Sequence, residues 1–310
     1  MSARIVYVYA PARIVSGGMK AAFQHVEMLV AAGVDAVMAT PDGVPPDWFQ
    51  STAPIIRHEA LTARDVLVLP ENLPELFRAV AAFPNRKLVF CQSPYLVYQG
   101  MGTMRSYADA GVSQIMCVSQ TVMNYCRLRF PGMPLAYTPY CVDEKRFAPA
   151  ATKKLQICTA PGKRSMEIGA IHDLFRFHNP RHRHVDWLLL QNASEAEVAA
   201  RMAESAVFLS LSRLEANPMT VLEAMASGCI VAGFTGVHGG NDSATSGNGF
   251  WVREDDLEGC AAALSQAVQV AEQGGPVRDA MLAESRRMAA QYSRQEVSRL
   301  LVAFWRSVLR

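Results

Sequence analysis

Several things are scarce in this chain, and each scarcity removes a class of protein. No pair of cysteines stands in a CxxC arrangement, and the seven cysteines are odd in number and scattered. That argues against both a disulfide framework and a thiolate zinc site. Cys91, Cys117, Cys158 and Cys229 instead sit in apolar runs, as small buried residues do in a reducing cytoplasm. Charge of one sign is also missing. Basic and acidic residues nearly cancel at a formal +2, so there is no footprint of a nucleic-acid binder, and any attraction to phosphate or anionic lipid has to be local. No apolar run reaches the about 18 residues that span a bilayer. The first residues lack a signal-peptide core and read at once as a strand, leaving a cytoplasmic protein with, at most, peripheral contact at a membrane surface. The opening loop Pro11-Ala-Arg-Ile-Val-Ser-Gly-Gly has no GxGxxG, which counts against a nicotinamide-dependent dehydrogenase.

What is present is apolar and periodic. Half of the 310 residues are hydrophobic, enough for a large core, and the length favours two domains over one. Short β-rich runs alternate with segments of helical period nearly from end to end, the pattern of an α/β protein with parallel sheets under crossover helices. Strands are expected near Arg4 to Tyr9, Ala36 to Ala39, Val66 to Leu69, Leu88 to Cys91, Gln114 to Val118 and Leu135 to Tyr137, with helices at Met19 to Ala32 and Val122 to Arg129. Their continuous apolarity suits strands buried on both faces. A proline-bearing, charged stretch from Tyr140 to Lys154 then breaks the alternation. A second series follows it: Leu155 to Thr159, Met166 to Phe177, Val185 to Leu190, Glu195 to Glu204, Val207 to Leu211, Met219 to Ser227 and Ile230 to Gly233. The expected organisation is a Rossmann-like domain over residues 1–148, a second over 149–291, and a C-terminal helix, 292–310, returning to the first.

The most informative segment runs from Leu209 to Ala232. A buried strand ends near Leu211, a short polar loop carries Glu215, and a helix opens with Asn217 as its expected N-cap and Pro218 at its first position. The free N–H groups and positive dipole end of such a helix, beyond the carboxyl end of a parallel strand, form a site for a diphosphate. Met219 and Thr220 fall in that first turn. Glu223 lies further along the helix, so the two carboxylates are expected to flank one cleft, each able to accept hydrogen bonds from sugar hydroxyls.

These residues resemble glycosyltransferase family 4, whose donor site has two glutamates separated by seven residues and a following LEAMA-G-PVV run. Glu215 and Glu223 have that spacing, and Leu222-Glu-Ala-Met-Ala-Ser-Gly-Cys-Ile-Val matches the run with Cys-Ile in place of its usual Cys/Thr/Leu-Pro. Three further segments fall in the family's order. Ser16-Gly17-Gly18 follows the opening strand like the family's GG turn, where glycines let backbone N–H groups approach a ligand closely. Val118-Ser119, then Tyr140-Cys141-Val142-Asp143 with Phe147 and Pro149, is similar to its interdomain signature, with Tyr140 for Asn and Cys141 for Gly. Pro161-Gly-Lys163-Arg164 follows the first strand of the second domain, where the family has an Arg and, five residues on, a Lys that neutralise the donor diphosphate. With Lys163 in the Arg position the Lys position holds Ile168, so the cationic role falls on the adjacent Lys163 and Arg164.

The resemblance implies a GT-B fold and a retaining, metal-independent transfer of a sugar from a nucleoside-diphosphate donor to an acceptor of unknown kind, with no cofactor. Glu223 would bind the ribose; Glu215, the candidate catalytic residue, would sit beside the donor sugar and phosphates. Where the family often has a His near the donor sugar this chain offers Gln92, with Tyr95 close by. His238, in a glycine-rich loop, is a further candidate sugar or acceptor contact. His172, His178, His182 and His184 lack ligand-type spacing, and Asp255-Asp256 lacks the context of a metal-binding DxD. Two other readings share the architecture or the motifs: a sugar-nucleotide epimerase or phosphorylase, and a catalytically weakened nucleotide- or partner-binding protein, to which Ile168 points.

Overall fold

The computed structural model describes residues 3–237 and 242–310, and of Lys163 the backbone alone. Contacts divide the chain into two units. The first takes the chain up to Cys141 together with Arg294–Arg310, and the second is Val142–Ser293.

The first unit is built on seven parallel strands: β1 (Ile5–Val8), β2 (Ala36–Thr40), β3 (Ile55–Arg57), β4 (Val66–Pro70), β5 (Lys87–Cys91), β6 (Val112–Cys117) and β7 (Leu135–Tyr137). Their spatial order is β3-β2-β1-β4-β5-β6-β7. The order reverses between β1 and β4, which pair in register through Ile5 and Val66. Every residue of β1, β2, β4 and β5 is buried, which is why these strands read as unbroken apolar runs. The connections include α1 (Gly17–Ala31), α2 (Pro74–Val80), α3 (Val97–Met101) and α4 (Gln120–Arg129).

The second unit has a five-stranded parallel sheet: β8 (Lys154–Thr159), β9 (Asp186–Leu189), β10 (Ser205–Ser212), β11 (Ile230–Thr235) and β12 (Gly249–Val252), ordered β12-β11-β10-β8-β9. Its reversal lies between β8 and β10. The helices are α5 (Ile168–His178), α6 (Glu195–Glu204), α7 (Met219–Ala226), α8 (Leu257–Gln273) and α9 (Gly275–Ala290). In open parallel sheets the strand reversal leaves a crevice outside the carboxyl ends of the strands, and ligands settle there. Each unit therefore has one such edge.

The last helix, α10 (Arg294–Val308), is amphipathic. Val297, Leu301, Trp305 and Val308 form its buried face, and it packs on α1 of the first unit. Arg294 forms an ion pair with Glu27 of α1 at 3.1 Å. Apolar burial does the holding, since Trp305 is fully enclosed while the ion pair is only partly so.

His25 of α1 is fully buried beside β1. Its Nε2 lies 3.1 Å from the Pro139 carbonyl, which can only accept, so Nε2 carries the proton and Nδ1 accepts from the Tyr7 hydroxyl at 3.1 Å. Burial lowers its pKa from 6.5 to about 4, against the opposing pull of the Pro139 carbonyl. The unfolded chain therefore binds a proton between those values that the folded one refuses, and stability falls as pH drops through that window. At pH 5 this costs about 2 kcal/mol relative to pH 7. Urea titrations at the two pH values should show that loss in the parent and a loss smaller by about 2 kcal/mol in His25→Gln.

Candidate active site

The carboxyl edge of the second sheet gathers most of the residues singled out in the sequence. Beyond Ser212 the chain passes through Arg213, Leu214 at φ 50° and half-buried Glu215, and then enters α7. The helix does not begin as expected. Pro218 is itself the N-cap, extended at φ −68° and ψ 122°, and Asn217 lies one residue outside it. A residue ahead of proline is pushed out of the helical region, so the first turn starts only at Met219. Val221 N–H bonds back to the Pro218 carbonyl at 3.1 Å, while the N–H groups of Met219 and Thr220 precede the first intrahelical bond.

Released from capping, the Asn217 side chain is 2% exposed, and neither its Oδ1 nor its Nδ2 has a hydrogen-bond partner among the described residues. A buried amide with both ends unmatched costs about 1–3 kcal/mol per group. Such a cost is offset when a ligand supplies the missing donor and acceptor. Glu223 is 5% exposed in the body of α7, among the buried Val221, Leu222, Ala224 and Met225. The backbone carbonyl of Glu215 is faced by Gly236, where an added Cβ would stand 3.6 Å away.

Arg164 lies in a short 3-10 turn, Gly162–Arg164, that follows β8, at the strand reversal. Its side chain has no exposed surface, and its nitrogens are all engaged within the unit. Nε donates to the Ser212 carbonyl at 3.1 Å; Nη1 donates to Glu167 Oε2 at 2.5 Å and Asp255 Oδ1 at 3.2 Å; Nη2 donates to Glu254. The guanidinium lies 4.1 Å from the centre of the Phe234 ring. Burial works against its charge, but Glu167 and Asp255 more than compensate, and its pKa is raised. Arg164 thus ties β8, β10, β11 and the turn after β12 together, with each of its three nitrogens bonded within the unit. Arg213, more exposed, shares the same three carboxylates at 3.3–3.5 Å. The carboxylates of this cluster were not singled out from sequence; their one local signal is Glu254-Asp255 two residues past an apolar strand, with Asp255 held at φ 61°.

Gly17, Gly18, Gln92 and Tyr95 belong to the first unit, so the sequence-expected residues fall into two groups. At the edge between β1 and β4, Gly17 and Gly18 open α1, with Ser16 as an N-cap that makes no side-chain bond. Gln92, just past β5, donates from Nε2 to the Tyr9 hydroxyl at 2.9 Å and to the Gly18 carbonyl at 3.2 Å. A Cβ on Gly18 would come within 2.9 Å of that amide, which is a physical reason for glycine there. Gln92 Oε1 and Ser93 Oγ are buried without partners among the described residues. Tyr95 is half-buried. Glu71, one residue past β4, is 2% exposed and accepts the Ser93 N–H at 2.8 Å. The sequence reading passed over it; the acid directly after the apolar run Val66–Pro70 was the available signal. His238 lies outside the described residues, as does the side chain of Lys163.

Among the described residues no three His, Cys, Asp or Glu side chains gather as a metal site would need. His182 bonds Glu272 at 3.2 Å, and His172 packs edge-on against Trp187.

Both sheets and both edges correspond to known architecture. The glycosyltransferase of Rickettsia africae ESF-5 superposes with a TM-score of 0.72 at 14% identity, covering 100% of this chain and 99% of that one. Anabaena HepE, solved in complex with UDP and glucose, superposes with a TM-score of 0.72 at 10% identity, covering 98% of this chain and 100% of the other. The fold is that of the GT-B glycosyltransferases. Residues 164–269 match the family described as Glycosyl transferases group 1. An alpha-1,6-glucosyltransferase of Actinobacillus pleuropneumoniae serotype 7 (strain AP76) is 26% identical over 282 residues, covering 85% of this chain and 83% of that protein. The chain is a glycosyltransferase, similar to those of group 1.

The two arginines should differ sharply when removed. Arg164→Ala deletes a buried charge, orphans the Ser212 carbonyl and leaves three carboxylates facing one another, a loss on the order of 3 kcal/mol. Arg213→Ala breaks only partly exposed pairs and should cost less than about 1 kcal/mol. Urea unfolding of both variants at neutral pH measures the difference.

Proposed function

We propose that the chain is a retaining, metal-independent hexosyltransferase that uses a nucleoside-diphosphate sugar and delivers the sugar to a hydroxyl of its acceptor. The observation that carries this reading is the Asn217 amide, buried with both ends unmatched among the described residues, immediately before the N-terminus of α7 at the strand reversal of the second sheet. The Met219 and Thr220 N–H groups and the positive end of the helix suit the diphosphate, and Asn217 has both a donor and an acceptor for phosphate or sugar. Glu223 would take the ribose hydroxyls and Glu215 the sugar, the roles the family resemblance assigns. Lys163 would supply cationic charge. Arg164 would act indirectly, by fixing the Ser212 carbonyl from which the Glu215 loop departs.

In the step itself, the bond from the anomeric carbon to the diphosphate oxygen breaks and its electron pair stays on that oxygen. The acceptor oxygen bonds to the carbon on the same face, and its proton passes to the departing phosphate oxygen. The protein's part is electrostatic: fixed N–H groups and a cation aimed at charge that grows on the leaving group. The first unit would receive the acceptor, with Gly17, Gly18, Gln92 and Tyr95 as candidate contacts. UDP-glucose is the first donor to try, because HepE was solved with UDP and glucose and the Actinobacillus relative is a glucosyltransferase. The seven cysteines are free and buried, which suits work in the reducing cytoplasm, and no helix among the described residues is long and apolar enough to cross a membrane.

Calorimetry with UDP, GDP, ADP and CMP should find saturable binding of one nucleotide. Asn217→Ala and Glu223→Ala should each weaken it by about tenfold or more, the equivalent of about 1.4 kcal/mol. Equal affinity in parent and variants would remove the donor site from α7.

A further inference from the structure

The first sheet reverses between β1 and β4, so the residues just beyond those strands, Tyr9 and Glu71, flank its crevice. Glu71 is held there from several sides. Its backbone carbonyl accepts the Tyr107 hydroxyl at 2.8 Å, and Gly100 of α3 presses so closely that an added Cβ would stand 1.8 Å from the same oxygen. Its carboxylate accepts the Ser93 N–H at 2.8 Å and a hydrogen bond from the Gln92 backbone. The two residues it grips carry the unmatched polar atoms of this edge, Gln92 Oε1 and Ser93 Oγ. Gln92 itself reaches Tyr9 and Gly18, and its carbonyl accepts the Tyr140 hydroxyl at 3.2 Å. One buried carboxylate thus sets the turn that presents an amide oxygen and a hydroxyl at the reversal.

We propose that Glu71 is a positioning residue for transfer: its ionised carboxylate locks the Gln92-Ser93 turn in the conformation that meets the sugar hydroxyls, and its protonation releases that turn. The proposal rests on the glycosyltransferase reading and on Gln92 facing substrate, and it goes beyond both in naming what holds Gln92 in place.

Ionisation of this group lies within reach of ordinary conditions. Burial pushes Glu71 up to about 7, even though its own N–H and those of Ser93 and Gln92 pull the other way. The titratable groups that face it are Tyr9 after β1, Cys91 of β5, Tyr107 in the turn before β6 and Cys126 of α4. Burial raises both tyrosines, and the Cys91 thiol is raised by its contact with Cys126 and by burial. The Cys126 thiol donates to Cys91 Sγ at 3.8 Å. Cys126 moves the other way, its thiol lowered by its contacts with Cys117 and Cys91, and its charge is one of the causes that push Glu71 up. Above its pKa the carboxylate takes its own N–H and those of Ser93 and Gln92 as charge-assisted bonds, roughly twice as strong as those a neutral acid can take.

Two readouts test this on the full chain. The first is release of UDP from UDP-glucose between about pH 6 and about pH 8, where the parent should lose activity on the acid side by about tenfold per pH unit below the midpoint. Glu71→Gln keeps an acceptor oxygen but does not titrate, so its acid limb should vanish while its plateau falls; Glu71→Asp should restore a limb. UDP affinity, a property of the second unit, should be the same in all three. The second readout is amide hydrogen exchange over residues 91–96, corrected for intrinsic pH dependence. Protection there should drop below the midpoint in the parent and be independent of pH in Glu71→Gln. An acid limb that survives in Glu71→Gln, or exchange that is identical in parent and variant at every pH, overturns the proposal. A parent that binds no nucleotide would instead defeat the transferase reading, and the exchange measurement would still decide whether Glu71 locks the turn.

Discussion

A guanidinium with no exposed surface must be neutralised where it stands, and the carboxyl edge of the second unit's sheet is organised by that requirement. Three carboxylates, Glu167 just before α5 and Glu254 and Asp255 in the turn after β12, a carbonyl at the end of β10 and the ring of Phe234 in β11 all converge on Arg164. Removing any one leaves the others mispaired in a poorly solvated place, so the strand ends cannot drift independently. The loop that carries Glu215 leaves from one of those fixed ends. The end of β10 from which that loop departs is thus held by an interior ion cluster.

The two edges also differ in kind. The second unit concentrates charge: Arg164, Arg213, Glu167, Glu254 and Asp255 lie within one cluster, and a helix terminus points its dipole at the neighbouring loop. The first unit's edge is made of Tyr9, Gly18, Gln92, Ser93 and a single carboxylate, joined by neutral hydrogen bonds and backbone approaches. The charges of the first kind are matched against one another inside the unit, whereas the second kind offers weak neutral donors and acceptors.

The central strands and long helices were legible because burial on both faces leaves continuous apolar runs and because α6, α8 and α10 carry strong periodic faces. Edge strand β3 was not, since Ile55 and Ile56 are only partly buried, Arg57 is exposed, and three residues are too few to show a period. The short helices α2 and α3 fail for the same reason, being two turns or less. At the site, the strand–loop–helix arrangement could be read from the sequence, with Glu215 in the loop and Glu223 in the helix. The cap could not: Asn before Pro fits both an N-cap followed by a first-turn proline and a proline cap with the asparagine left outside, and only backbone angles choose. Arg164 shows a different limit. Local sequence identified a cation beside a strand end, but the carboxylates that claim it come from about ninety positions later, at Glu254 and Asp255.

The return of α10 has a consequence in time as well as in space. The first unit closes its core with Val297, Leu301 and Trp305, residues separated from the rest of that unit by the whole of Val142–Ser293. During synthesis the first sheet emerges early, yet the apolar strip on α1 that α10 covers stays open until the second unit has been made. The domain that starts first is therefore the one that finishes last, and for that interval its exposed strip is the part of the nascent chain most in need of protection from premature association.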